Sequence, residues 1–175
     1  ARTGAAWRLV GQQVLFSRVS FPGRPVALHD SWDGYQASRD RVVDFLVAER
    51  LRDVAILTGD SHSSWAFDVP KNPWDGYAAP TGGGSLAVEL VTPAVSSPPL
   101  FADPMVRERM ATLRYLLPHL KYLEGESRGY LFAELTPERL QADWYHVPGV
   151  MERSAREIKA ASYVCERGSS RLAAG

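Results

Sequence analysis

Residues Val54-Ala55-Ile56-Leu57 are apolar without a break, and the run stops at Thr58-Gly59-Asp60-Ser61-His62. Four apolar residues in succession, closed by a glycine, read as a short buried strand. A chain built around such a strand folds in layers with a sheet inside. In layered α/β structures functional groups gather where strands give way to loops, because firmly held backbone there presents side chains to open space. Asp60, Ser61 and His62 occupy such a place.

Backbone that stays extended through Ser61 would project Asp60 and His62 to one side, with Cα atoms about 6 to 7 Å apart. Asp supplies a hard oxygen and His a borderline nitrogen, which suits a mixed metal site better than an all-oxygen calcium cage. A catalytic ion needs about three protein ligands and an open position. The other histidines, His29, His119 and His146, stand in no metal-binding spacing, so the remaining ligands are expected outside this chain. The same residues allow a plainer reading, with Asp60 capping a turn and His62 an ordinary strand-end histidine. They also allow a serine-esterase reading: Gly59-Asp60-Ser61 is similar to the nucleophile block of SGNH (GDSL-type) esterases, and Asp143-Trp144-Tyr145-His146 to their Asp-x-x-His. Ser61 would then be nucleophile, His146 base and Asp143 its orienting partner. Strand-like alternation over 140–147 would send Asp143 and His146 to opposite faces, against that reading.

Around this strand the pattern predicts one strand or two within Trp7–Val19. A helix follows from about Gly34 to Leu51, capped by Asp30, Ser31 or Asp33, with Tyr35, Val42, Phe45 and Leu46 at core spacing and Arg39, Asp40, Arg41 and Glu49 facing water. Ser64–Val69 and Leu86–Thr92 read as strands, with a Gly- and Pro-rich surface loop over 71–85 between them. That loop holds Trp74-Asp75-Gly76-Tyr77, the same four letters as Trp32-Asp33-Gly34-Tyr35, and coincidence explains the echo better than a repeat. Asp103–Leu117 reads as a helix with Met105, Met110 and Leu113 on its core face. Gly129–Leu135 and Leu140–Val147 read as a hairpin, and the tail as one more edge strand before a disordered Ser-, Arg- and Ala-rich end. The fold class is α/β or α+β with sheet predominating, as a single domain over residues 1–175.

Twenty Lys plus Arg balance twenty Asp plus Glu, which removes any general attraction to nucleic acid or acidic membranes. No apolar run reaches membrane-spanning length, and no signal-peptide pattern is present. The lone cysteine, Cys165, excludes an intramolecular disulfide. The first residue is not Met and a strand pattern starts almost at once, so the chain is expected to be a piece of a longer protein.

Taken in order, several segments resemble PhoD-type alkaline phosphatases. They are Trp7-Arg8-Leu9-Val10-Gly11-Gln12-Gln13-Val14, Trp32-Asp33-Gly34-Tyr35 with Arg39, Leu57-Thr58-Gly59-Asp60-Ser61-His62-Ser63-Ser64-Trp65 and Glu89-Leu90-Val91-Thr92-Pro93-Ala94-Val95-Ser96-Ser97. The likeness continues through Pro118-His119-Leu120-Lys121-Tyr122, Arg128-Gly129-Tyr130 and the Leu-Thr-Pro-Glu-Arg-Leu-Gln-Ala-Asp-Trp segment ending at Trp144. What the chain resembles is the C-terminal half of that metallophosphatase domain.

The resemblance implies part of a metallophosphoesterase-like four-layer β-sandwich flanked by helices. It implies hydrolysis of phosphate monoesters or diesters by a metal-activated water or oxide, with iron (Fe3+) and calcium (Ca2+) as cofactors. Asp60 is similar to a calcium ligand and His62 to the iron ligand of the Gly-Asp-x-His motif. The other ligands, a cysteine, a bridging aspartate, a tyrosine and an asparagine, belong to N-terminal motifs absent here, so the missing N-terminal segment is the implied partner and the isolated chain is expected to be inactive. Cys165 lies far beyond the family cysteine. His119 matches a Pro-His position with a structural role, and Leu117 stands where relatives carry Asn. Trp32, Tyr35 and Arg128 are the candidate contacts to a phosphate-ester substrate, each with a packing or salt-bridge alternative. A periplasmic or secreted location follows from the resemblance alone. A domain that keeps the fold and binds without metals is the reading from another class.

Overall fold

The computed structural model describes residues 4–24, 28–153 and 156–175. Among them nine strands form two sheets. The first holds β1 (Arg8–Gln12), β2 (Val54–Thr58), β3 (Ser64–Pro70), β4 (Ser85–Val91) and β5 (Leu120–Glu124) in the order β1-β2-β4-β3-β5. Strands β1, β2 and β4 run parallel, and β3 is antiparallel to β4 and β5. The second sheet is antiparallel, with β6 (Arg128–Leu135), β7 (Arg139–Val147), β8 (Ile158–Glu166) and β9 (Ala173–Ala174) in sequence order. Helix α1 spans Gln36–Ala48 and α2 spans Pro104–Leu116.

Alternation along the strands sorts the core into layers. Ala55, Ala66, Val88 and Leu90 face the second sheet and pack against Leu140, Ala142 and Trp144. Trp144 is fully buried and its indole Nε1 donates to the Val91 carbonyl across the interface, 2.9 Å away. The opposite face of the first sheet carries Val54, Ile56, Val69 and Ala87, which pack under Val43 and Leu46 of α1. Trp65, Phe67, Val91 and Leu123 on that face pack near α2, with Val106, Met110 and Leu113 against them. The chain is an α+β sandwich of helices, sheet and sheet.

The segments read from the sequence are present, with differences that have physical causes. Only Arg8–Gln12 of the Trp7–Val19 stretch is strand; residues 15–20 form a loop held by buried carboxylates. Glu89 accepts the Phe16 and Ser17 amides at 2.8 and 2.7 Å, and Asp33 accepts those of Val19 and Ser20 at 3.1 and 2.6 Å. The predicted helix begins instead with a 3-10 turn at Trp32–Tyr35, capped by Ser31, and ends at Ala48. Its inward residues are Arg39, Val43 and Leu46, while Tyr35, Val42 and Phe45 are exposed. Arg39 does not face water: its guanidinium reaches the Phe16, Pro70 and Lys71 carbonyls at 3.0, 3.1 and 3.2 Å, turning α1 by one position. Met105 is likewise exposed at the start of α2, where Asp103 accepts the Met105 amide.

Strand β5 has no clear alternation to mark it in the sequence: its five residues mix one buried leucine with half-buried Lys121 and Tyr122. The tail is ordered. Buried Asp68 accepts the Leu172 amide at 2.8 Å, Leu172 enters the intersheet core, and β9 rather than β8 is the edge strand. The two Trp-Asp-Gly-Tyr segments share no conformation. Gly34 needs its missing Cβ because the His29 carbonyl would lie 2.4 Å from it, whereas Gly76 has φ of +78° in a loop.

Candidate metal centre

The three parallel strands β1, β2 and β4 end on the same edge of the first sheet, the side on which open α/β sheets bind ligands. Immediately past β2 the chain does not stay extended. Asp60 and His62 have φ of +62° and +52°, and the Ser61 amide bonds back to the Gly59 carbonyl at 2.7 Å. Left-handed backbone at two non-glycine positions within three residues is uncommon and persists where surroundings enforce it. The surroundings here are specific. Ser63 Oγ donates to the Ser61 carbonyl at 2.8 Å and accepts from Trp65 Nε1 at 2.6 Å, so the serines clamp the turn from inside. The His62 carbonyl accepts the Leu100 amide at 3.0 Å, tying the turn to the segment before α2.

That turn brings Asp60 and His62 to one cleft of about 480 Å³. Its other walls include His29, Asp30 and Ser31 from the loop before α1, and the apolar side chains of Leu15, Leu28, Trp65 and Leu100. His62 Nδ1 lies 3.0 Å from the Pro98 carbonyl. A carbonyl can only accept, so Nδ1 carries the proton and the Nε2 lone pair is left for a ligand. A backbone carbonyl on one imidazole nitrogen is the usual support for a histidine whose other nitrogen binds a metal. Asp60 is exposed to the cleft side of the molecule and brings a hard carboxylate. The donor types therefore fit a shared cation site, and they fit it only in part: among the described residues no group of three or more His, Cys, Asp or Glu is gathered closely enough to hold a metal ion.

Trp32 and Tyr35 line a smaller adjoining cleft of about 230 Å³ with Val14 and Ser38, and the two clefts share Asp30 and Ser31 as a common wall. Trp32 also packs against Phe16, with ring centroids 5.2 Å apart and planes tilted by 56°. Arg128 does not line either cleft. Its Nε donates to the Ser96 and Ser97 carbonyls, each at 3.0 Å, in the loop that follows β4.

The serine-esterase arrangement is not assembled. Ser61 Oγ is bonded within its own turn to Ser63. Asp143 lies on the outer face of the second sheet with Ser162 at 2.6 Å and Lys159 at 2.8 Å. His146, on the inner face, has Ser64 Oγ at 3.2 Å and Glu124 at 3.5 Å. His119 is fully buried against Phe67 and Trp74 and lies outside the cleft; burial lowers its pKa to about 3, so the ring is neutral. Cys165 is buried in the intersheet core and burial pushes its thiol up, away from thiolate chemistry.

Sequence reasoning missed His29 and Asp30 as cleft residues and Glu89 and Asp33 as the carboxylates that hold the 15–20 loop, from whose start Leu15 enters the cleft. The signal for the first pair was slight, since the loop before α1 is placed by partners distant in the chain, among them the Leu15 carbonyl that accepts the Trp32 amide at 3.0 Å. For Glu89 it was legible: a single acid inside Leu86-Ala87-Val88-Glu89-Leu90-Val91 must find donors if buried. It finds Phe16, Ser17 and, at 2.7 Å, Thr58 Oγ1 at the end of β2.

Alkaline phosphatase D of Bacillus subtilis (strain 168) is 31% identical over 172 residues, a match that covers 96% of this chain and 28% of that protein. A solved structure described as the structure of PhoD superposes with a TM-score of 0.78 at 27% identity, over 97% of this chain and 31% of that one. The chain thus spans less than a third of the length of each of these two relatives. The family described as PhoD-like phosphatase matches residues 1–144, and the chain belongs to that family.

Proposed function

We propose that this chain is the C-terminal part of a PhoD-like metallophosphatase domain, exported to the periplasm or secreted, that hydrolyses phosphate monoesters or diesters. Asp60 and His62 are its share of the metal centre, to calcium and iron respectively, and the other ligands come from polypeptide outside residues 1–175. The observation that carries the reading is the turn at 59–62. Strained backbone, a tautomer set by the Pro98 carbonyl and an exposed carboxylate on the same cleft are arranged as ligands are, at the strand end where such sites form.

Cations held in part by Asp60 and His62 would supply Lewis acidity and lower the pKa of bound water. The chain's own residues hold and orient. Pro98 and Leu100 fix His62 from two sides, so the imidazole reaches a ligand without loss of rotamer freedom on binding. Leu15, Leu28, Trp65 and Leu100 make one wall of the cleft apolar, which excludes water from the reacting ester. Trp32 and Tyr35, on the adjoining cleft, contact the group esterified to phosphate. Arg128, anchored through Nε to the Ser96 and Ser97 carbonyls, stands outside both clefts and is given no contact to substrate.

The test uses a chimera in which this chain replaces the matched stretch of Bacillus subtilis alkaline phosphatase D, assayed on p-nitrophenyl phosphate and bis-p-nitrophenyl phosphate. His62→Ala and chelation should each abolish hydrolysis, while Ser61→Ala should retain most of it. Activity that survives His62→Ala and disappears with Ser61→Ala would sink the proposal.

A further inference from the structure

A second cleft, of about 490 Å³, opens at the opposite edge of the first sheet from Asp60 and His62, where β2 and β4 begin. The length of β2, roughly 16 Å, separates the two. Arg50 and Arg52 reach it from the segment after α1, Gly82-Gly83-Gly84 from the loop before β4, and Gly168-Ser169-Ser170 from the turn after β8. The backbone here is unusual. Apart from Asp53, which follows Arg52, the described non-glycine residues with left-handed φ lie at one cleft or the other: Asp60 and His62 at the first, Arg50 and Ser170, at +51° and +50°, at the second. Such backbone is uncommon away from glycine and gathers at ligand sites. Gly84, at +86°, is equally specific, since a Cβ there would meet the Gly76 carbonyl oxygen at 2.0 Å.

The cleft carries donors without acceptors. Neither the Arg50 nor the Arg52 guanidinium bonds or pairs with any group among the described residues, and no Asp or Glu lines the walls. The end of α1 does not call for them either, because the Glu49, Arg50 and Leu51 amides already donate to the Phe45, Val47 and Leu46 carbonyls at 3.0, 3.1 and 2.9 Å. The neighbouring Asp53 carboxylate is engaged elsewhere, accepting the Gly168 amide with one oxygen and holding the other 3.9 Å from Arg167 Nε. Ser170 is the deepest polar group: it is only 8% exposed, it lines the cleft, and its hydroxyl has no partner among the described residues. A hydroxyl so placed is met by a ligand or by water. Beside these donors Leu46, Leu51 and Leu86 form an apolar wall.

We infer that this cleft binds an organic phosphate, with the phosphate group on the Arg50 and Arg52 guanidinium groups and the Ser170 hydroxyl, and the carbon body against Leu46, Leu51 and Leu86. A planar guanidinium donates two parallel bonds to an oxyanion. Two such forks and a hydroxyl offer more donors than the two oxygens of a carboxylate can use, whereas a phosphate ester brings three free oxygens and up to two charges. The size and the mixed walls suit a small molecule rather than a bare ion. The cleft shares no residue with the one that holds Asp60 and His62, so its occupancy does not depend on cations there.

Isothermal titration calorimetry of the full chain with phenylphosphonate, whose P–C bond resists hydrolysis, tests the site. EDTA is present throughout, so that Asp60 and His62 offer the probe no cation and the outcome is separate from the metal reading. Saturable one-to-one binding is expected, weakened about 10-fold or more by Arg50→Gln and by Arg52→Gln. Ser170→Gly, which removes the hydroxyl and suits left-handed backbone, should weaken binding without lowering Tm. Inorganic phosphate should bind about 10-fold or more weakly for want of contact with the apolar wall, and benzoate should also bind more weakly for want of a third oxygen. No saturable binding by a folded chain would overturn the proposal, as would affinity that survives both arginine substitutions. Benzoate or inorganic phosphate bound as tightly as phenylphosphonate would overturn the assignment of ligand class. Should the chain not fold alone, the same titrations of the chimera decide by the same outcomes.

Discussion

Glu89→Gln is the substitution whose cost can be worked from the structure. One carboxylate oxygen accepts the Phe16 amide and the Thr58 hydroxyl at 2.8 and 2.7 Å, and the other accepts the Ser17 amide at 2.7 Å. All three donors are otherwise without a water-facing alternative, since Glu89 and Ser17 are fully buried. A glutamine can keep its oxygen on the first pair, which places its NH2 against the Ser17 amide, donor to donor. One buried donor left unmet costs roughly 1–3 kcal/mol, and the remaining two bonds fall from charge-assisted to neutral strength, roughly 1 kcal/mol each. Against this, burial holds the Glu89 carboxyl above the usual carboxylate range, although the donors of Ser17, Thr58 and Phe16 oppose it, so the neutral amide recovers part of the loss. The net expectation is about 2 kcal/mol of destabilisation, or a fall in Tm of about 4–8 °C for a chain of this size. Differential scanning calorimetry reads the total, and amide exchange at Phe16 and Ser17 reads the place. A variant with unchanged Tm and unchanged exchange at these two amides would refute the view that Glu89 fastens the 15–20 loop to the end of β2.

Arg39→Lys should cost about 2–4 kcal/mol by urea denaturation, because a point charge cannot reach three carbonyls that the guanidinium fork satisfies together; a loss under 0.5 kcal/mol would show the fork to be dispensable. His119 sets an acid limit. Its folded pKa, lowered by burial to about 3, lies below the unfolded value of 6.5, so the unfolded chain binds the extra proton and stability falls as pH drops from 6.5 toward 3, by up to roughly 1.4 kcal/mol per pH unit. His119→Leu should flatten that limb in chemical denaturation at successive pH values, and a limb superimposable on wild type would count against it. Asp68→Leu should loosen the C-terminal end first, seen as faster exchange at the Leu172 amide, since a side chain without an oxygen leaves that amide no acceptor; unchanged exchange would count against this role.

The layers were legible because burial leaves a mark in sequence. Val54 to Leu57 reads as a core strand and is one, the 140–147 alternation places Asp143 and His146 on opposite faces as it should, and Gly59-Asp60-Ser61-His62 marked the strand end that opens on the cleft. What could not be read were facts set by partners distant in the chain. Arg39 looks solvent-bound until the Phe16, Pro70 and Lys71 carbonyls converge on it, and the tail looks disordered until Asp68 meets Leu172. The turn at 59–62 misled in a different way: Asp60 and His62 share a cleft through left-handed backbone rather than through the two-residue period of an extended strand.

The central claim is that Asp60 and His62 complete a metal centre begun elsewhere. Elemental analysis of the purified chimera tests it most directly, comparing wild type with His62→Ala and Asp60→Asn after confirming that all three fold. Iron lost with His62→Ala and calcium lost with Asp60→Asn is the expected result; iron and calcium retained at wild-type stoichiometry in both variants would contradict it.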